Sequence, residues 1–185
     1  MNKQPRVAFS AERNQPFTNG HFYLNSEMLR DNDVIIVGIG STQIQGTSRN
    51  PFSPEQRKEM YFKVFGKTKK IKFVYLRDIG AVYPGEWQDY CLKRIKDSSY
   101  PTPTHYYCGS KTDGYWFEGA ENLNGDPIEL VTLKRYDTPF MPGTNIRASI
   151  TNDSDEWEEH VPKCLIEYIK DNYPKDLMIQ AHRDH

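Results

Sequence analysis

The chain is short of several things, and each shortage narrows what it can be. No apolar run approaches the length of a membrane span, and the longest, Val34 to Ile39, suits a buried strand. The opening residues, Met-Asn-Lys-Gln-Pro-Arg, hold no apolar signal-peptide core. The 3 cysteines, Cys91, Cys108 and Cys164, are odd in number and too scattered for a metal or redox motif. A reducing cytoplasm is therefore the expected location, with no membrane partner. Charge of one sign is also lacking: 24 Lys and Arg face 25 Asp and Glu, a formal charge of −1. That balance argues against a nucleic-acid partner bound through a broad basic surface, so an anionic ligand must be held by a few local cations. Repeats, low-complexity tracts and linkers are missing, and no Ser-His-Asp or Cys-His arrangement is evident.

What is present is ordinary in amount and ordered in sequence. With 185 residues, 37% of them hydrophobic and 26% charged, the chain is expected to form one domain over residues 1–185 with a real core. Strand and helix signals alternate. Arg6–Ser10 reads as a first strand, then a glycine-bearing turn and a helix from Gly20 to Arg30. Val34–Gly40 is continuous, apolar and β-branched, as in a central parallel strand covered on both faces. Ser53-Pro54-Glu55-Gln56 supplies an N-cap, a first-turn proline and a capping-box glutamine for a helix that runs to Phe65 and stops at Gly66.

Ile71–Leu76, Thr104–Cys108 and Ile128–Leu133 read as further strands. Trp87, Tyr90, Cys91 and Ile95 recur at helical spacing, and Gly143–Ile150 and Pro162–Asn172 close the chain as a helical C-terminal part. The alternation predicts an α/β fold, Rossmann-like, with a mainly parallel sheet. Ligands of such sheets sit beyond the carboxyl ends of the strands.

Two segments lie where that edge should be. Thr18-Asn19-Gly20-His21 offers a glycine that lets a flat base or a phosphate approach, and a histidine in the first helical turn that can donate to a phosphate oxygen. Pro142-Gly143-Thr144-Asn145-Ile146-Arg147 opens another helix with a hydroxyl and a guanidinium. Together they describe a pocket for the phosphates of a nucleoside triphosphate.

The surrounding residues sharpen this. Arg13-Asn14-Gln15-Pro16-Phe17-Thr18-Asn19-Gly20-His21 resembles the (His/Thr)-x-Gly-His signature of the nucleotidylyltransferase superfamily. It is most similar to the form carried by archaeal-type nicotinamide mononucleotide adenylyltransferases, relatives of which occur fused to Nudix domains. Ile39-Gly40-Ser41-Thr42-Gln43, then Arg49-Asn50-Pro51-Phe52-Ser53 with Glu55 and Arg57, resembles the same family's next block. Gly143-Thr144-Asn145-Ile146-Arg147 is similar to its second signature, and Trp157-Glu158-Glu159-His160-Val161-Pro162 to its closing motif. The likeness runs in order from Arg6 to about Ile169 and is weakest from Tyr100 to Asp137. It departs at three places: Thr18 replaces a histidine, Glu12 a glycine and Pro142 a serine.

The resemblance implies an enzyme that transfers AMP from ATP to nicotinamide mononucleotide, giving NAD and pyrophosphate. It implies catalytic roles for His21, Thr18, Arg147 and Arg49. It implies ATP contacts from Arg13, Gln15, Phe17, Gly20, Gly143, Thr144 and Ile146, and acceptor contacts from Trp87, Asp78 and Ser41. Mg²⁺ is expected to arrive through the ATP phosphates, with no dedicated protein metal site. Homo-oligomers occur as an expectation only. A stand-alone enzyme is expected, since 185 residues leave little room for a fused Nudix or kinase domain.

Alternatives stay open at this point. The same site could serve another phosphorylated acceptor: nicotinate mononucleotide, phosphopantetheine, or a sugar or alcohol phosphate. A non-catalytic nucleotide sensor is the rival of a different class, favoured by Glu12 and Pro142 and disfavoured by the joint presence of His21 and Arg147. Trp87 also fits the apolar stripe of its helix, and Asp78 could simply end a strand. Lys67, Lys69, Lys70 and Lys72 read as a solvated turn, the acids from Asp153 to Glu159 as helix-start residues, and Gly109-Ser110-Lys111 as a turn.

Overall fold

The computed structural model describes residues 4–133 and 141–176. Five strands form one parallel sheet: β1 Val7–Glu12, β2 Val34–Ile39, β3 Ile71–Tyr75, β4 His105–Cys108 and β5 Glu129–Thr132, in the order β3-β2-β1-β4-β5. The helices are α1 Asn19–Asp31, α2 Pro54–Phe65, α3 Pro84–Asp97, the single turn α4 Lys111–Gly114, α5 Gly143–Thr151 and α6 Ile166–Asn172. His182 and His185 lie outside the described residues, as does Asp137.

The apolar run of β2 shows why the sheet must be covered twice. Successive side chains point to opposite faces, so Ile35, Val37 and Ile39 join the core beneath α1, α2 and α5, whereas Ile36 joins the core beneath α3. Gly38 is required by packing: a Cβ there would stand 2.6 Å from Leu76 Cδ1 and 3.0 Å from Phe9 Cε2. At the start of α2 the predicted capping box is formed, with Gln56 N–H donating to Ser53 Oγ at 3.1 Å and Ser53 N–H to Gln56 Oε1 at 2.8 Å. Gly66 ends that helix at φ +72°, a conformation that costs a side chain energy.

Three differences from the expected elements stand out. The first strand runs to Glu12 because Ala11 and Glu12 continue the pairing with Gly38 and Ile39. The helix expected over Pro162–Asn172 is broken into a 3₁₀ turn, Lys163–Leu165, and α6; Leu165 N–H bonds Pro162 C=O three residues back and so tightens the first turn. Gly109-Ser110-Lys111 leads into α4, with Ser110 Oγ accepting from Asp113 N–H at 3.1 Å, and a 3₁₀ turn Tyr115–Phe117 follows. No helix among the described residues is long and apolar enough to cross a membrane.

Strand order reverses between β1 and β4. The carboxyl ends of those two strands, Ala11–Glu12 and Tyr106–Cys108, open into a cleft at the point where α/β sheets bind ligands.

Candidate active site

A cleft of about 370 Å³ occupies that switch point. Ala11, Glu12 and Arg13 enter it from the end of β1, Thr18, Gly20 and His21 from the start of α1, and Gly40 and Ser41 from the end of β2. Asp78, Trp87, Tyr106 and Gly109 complete it from the other side. A neighbouring recess of about 480 Å³ is lined by Arg13, Ser48, Arg49, Thr144 and Arg147. Arg13 belongs to both, so the two form one continuous surface.

The start of α1 does two jobs at once. Thr18 is the N-cap, and His21, at the third helical position, completes a capping box in place of the usual Glu or Gln. The Thr18 N–H donates to His21 Nδ1 at 3.0 Å, and Thr18 Oγ1 lies 2.9 Å from the same nitrogen. A nitrogen that accepts a backbone N–H carries no proton, so the neutral ring holds its proton on Nε2. Phe17 backs the imidazole, with ring centroids 5.6 Å apart.

Arg147 joins three distant segments. Its Nη1 donates to Gln15 C=O at 2.7 Å, its Nε to Ser48 C=O at 2.8 Å and its Nη2 to Thr144 Oγ1 at 3.2 Å. Gly143 permits this closeness, because a Cβ there would stand 3.3 Å from Arg147 Nη1 and 3.5 Å from the Gln15 carbonyl. Burial lowers the pKa of the Arg147 guanidinium; the Tyr173 phenol opposes the shift, and Arg13 and Arg49 add to it. Arg13 is lowered for the same reasons, burial and then Arg49, with Asp78 acting in the other direction. Three guanidiniums thus share one surface, an arrangement that suits an anionic ligand.

Beneath this surface lies a layer that sequence reading missed. Arg57 is fully buried; its Nη1 donates to Arg13 C=O at 2.8 Å and Gly40 C=O at 2.6 Å, pinning the ends of β1 and β2. Burial pulls its pKa down to about 10. Glu12, which stands where the family has a glycine and favoured the sensor alternative, turns its carboxyl inward. Its carboxyl accepts from Ser10 Oγ at 2.6 Å, Tyr61 Oη at 2.9 Å and Asn25 Nδ2 at 3.0 Å. Asn25 also donates to the His21 carbonyl at 2.9 Å, so the acid braces the helix that carries the imidazole. Burial raises the Glu12 pKa, against the hydrogen bonds from Ser10, Tyr61 and Asn25.

The expected site residues separate into three groups. His21, Thr18, Gly20, Arg13, Ser41, Asp78 and Trp87 line the cleft, and Arg49, Thr144 and Arg147 line the arginine recess. Ser41 Oγ donates to Asp78 Oδ1 at 2.9 Å and Gln43 Nε2 to Oδ2 at 3.0 Å, so Asp78 is an oriented carboxylate and does more than end a strand. Gln15, Phe17 and Ile146, expected at the ATP, turn their side chains into the interior. Gln15 exchanges two hydrogen bonds with the Phe52 backbone, and Phe17 and Ile146 are fully buried. Among the described residues no cluster of three or more His, Cys, Asp or Glu side chains could hold a metal ion.

No protein-family model matches the chain. Curated proteins do match. A nicotinamide-nucleotide adenylyltransferase of Methanococcus aeolicus is 30% identical over 159 residues, covering 84% of this chain and 83% of that protein. One from Thermoplasma volcanium is 28% identical over 182 residues, covering 89% and 85%. Among solved structures, a bifunctional NMN adenylyltransferase/ADP ribose pyrophosphatase from Francisella tularensis, complexed with AMP and Mn ion, superposes with a TM-score of 0.70 at 20% identity and shares the fold. That alignment covers 97% of this chain and 54% of the other, so the chain spans about half the length of the solved protein it matches. With the signatures at Arg13–His21 and Gly143–Arg147 drawn to one surface and a 30% identical relative covered over most of its length, the chain belongs to the nicotinamide-nucleotide adenylyltransferase family.

Proposed function

We propose that the protein transfers AMP from ATP to nicotinamide mononucleotide, releasing pyrophosphate and forming NAD. The observation that carries this reading is the bond from Arg147 Nη1 to the Gln15 carbonyl, which links the two signatures across 132 positions of sequence. In the reaction an oxygen of the acceptor's phosphate attacks the α-phosphorus of ATP. The bond from that phosphorus to the bridging oxygen breaks, and its electron pair leaves on pyrophosphate. The nucleophile is already an anion, so the protein needs no strong base; it must position a triphosphate against a monophosphate and stabilise the charge that moves.

The residues have distinct parts in this. His21 offers its Nε2–H to a phosphoryl oxygen of the reacting centre as charge builds there. Arg147 and Arg49, with the Thr144 hydroxyl, receive the leaving phosphates, and Arg13 lies between the two ends. Gly20 leaves room for the adenine or an α-phosphate oxygen at the start of α1. Trp87 and Asp78 receive the acceptor's base and sugar.

The donor set fits a divalent cation of the Mg²⁺ type carried on the phosphates: guanidiniums cannot ligate it, and among the described residues no carboxylate cluster would hold it apart from the phosphates. Bound there, the ion would neutralise phosphate charge. The test is to incubate the chain with ATP, Mg²⁺ and a panel of phosphorylated acceptors, following pyrophosphate and dinucleotide. Release of pyrophosphate with NAD formed from nicotinamide mononucleotide supports the reading, and its absence with that acceptor overturns it.

A further inference from the structure

The cleft is electrically polarised along its length. At one end stand Arg13, Arg49 and Arg147. At the other, beyond Tyr106, it opens into a recess of about 360 Å³ between Trp87 and Trp116, with Asp78 and Asp113 at its margin. No Lys, Arg or His among the described residues lines that recess. Asp113 is not a loose surface acid. Its Oδ2 accepts from Ser110 Oγ at 2.6 Å and its backbone N–H donates to the same hydroxyl, which fixes the carboxylate at the start of α4 toward the recess. Asp113 and Trp116 come from the segment where the resemblance to the family is weakest.

Resting on the adenylyl-transfer reading above, we propose that Asp113 is a specificity-determining residue: with Asp78 it makes the acceptor end of the cleft accept a pyridinium ring bearing a neutral carboxamide and reject the same ring bearing a carboxylate. The chemistry of the two acceptors differs at one substituent. In both, the ring nitrogen bonded to ribose is quaternary and positive, which suits a recess walled by indoles and edged by carboxylates. The amide adds no charge and brings an N–H donor for a carboxylate to accept. The acid adds a negative charge that must approach two fixed carboxylates, and like charges a few ångströms apart repel at this half-open site. Discrimination thus comes from a repulsive element as much as an attractive one.

The experiment measures kcat/KM for nicotinamide and nicotinate mononucleotides with the full chain, ATP and Mg²⁺, for the natural sequence and for Asp113→Asn and Asp113→Glu. The natural enzyme should favour the amide by about tenfold or more, and Asp113→Asn should reduce that preference about fivefold, through a lower KM for the acid. Asp113→Glu should restore most of the preference. The preference of the natural enzyme should shrink as salt is raised, and that of Asp113→Asn should respond less, a dependence that a merely structural role would not produce. An unchanged preference in Asp113→Asn, with both acceptors turned over, overturns this inference and leaves the adenylyl-transfer reading standing. Absence of turnover with either acceptor overturns both.

Discussion

Two places on this molecule gather cations, and they sit at opposite edges of one sheet. At the carboxyl edge are Arg13, Arg49 and Arg147; at the amino edge Lys58, Lys67, Lys69 and Lys72 rim a shallow cleft floored by Phe62, Phe73 and Tyr100. The lysines stand over rings in solvent, with Lys58 Nζ 5.6 Å from the Phe62 centroid and Lys72 Nζ 5.8 Å from that of Tyr100. Arg147 is instead tied to two backbone carbonyls and a hydroxyl from three chain segments. Number of charges does not separate the two places. Preorganisation does: an ammonium on a flexible stem must be ordered by the ligand, whereas the guanidinium fork of Arg147 is ordered before it arrives. The lysine edge matches what keeps an exposed edge strand such as β3 from pairing with other chains.

Substitutions can break or sharpen this contrast. The largest effect is expected at His21, where His21→Ala should lower kcat by roughly 10²–10³-fold and leave ATP affinity nearly intact, read from steady-state rates beside equilibrium titration of ATP. Equal losses in both would move the imidazole from the transition state to simple binding.

Next comes Arg147→Ala, expected to raise KM for ATP about tenfold, with Arg147→Lys recovering little because an ammonium cannot reproduce the fork that reaches Gln15, Ser48 and Thr144 together. Full recovery by lysine would erase the distinction drawn between the two edges.

A smaller effect concerns Glu12. Its pKa is raised in the folded state, so between the ordinary carboxyl value of 4.5 and the folded value the native protein binds more protons than the unfolded chain. Stability therefore falls as pH rises through that window. Glu12→Gln should flatten that part of the curve of melting temperature against pH; a curve that keeps its slope would mean the acid is ionised in both states. The smallest effect is expected for the double substitution Lys67→Ala with Lys69→Ala, with KM for ATP changed by less than about twofold. A large rise would place phosphate at the amino edge.

Much of the scaffold was readable because it depends on local rules. The Ser53 capping box, the alternating and continuous apolar strands and the stop at Gly66 are set by residues a few positions apart, and each appears where expected. The parallel order and the convergence of the two signatures followed from topology and resemblance. What escaped was non-local. That Arg57 would be buried, serving the carbonyls of Arg13 and Gly40, depends on how strand ends meet α2, which no spacing encodes. Glu12 reads as a misplaced charge until Tyr61 and Asn25 from two other elements are brought to it. Gln15, Phe17 and Ile146 lie inside motifs whose neighbours face the ligand, and motif membership alone does not say which way a side chain turns. A turn was legible at Gly109-Ser110-Lys111, but not that it would carry Asp113 to the cleft.

The clasp made by Arg147 also sets an order of events. Among the described residues the five strands all precede α5, so this sheet can form before the ribosome has added that helix. The residue that fastens the loop after β1 to the loop after β2 arrives only with α5. A chain lacking that helix would display the same platform with an unfastened rim, its two loops no longer held to each other.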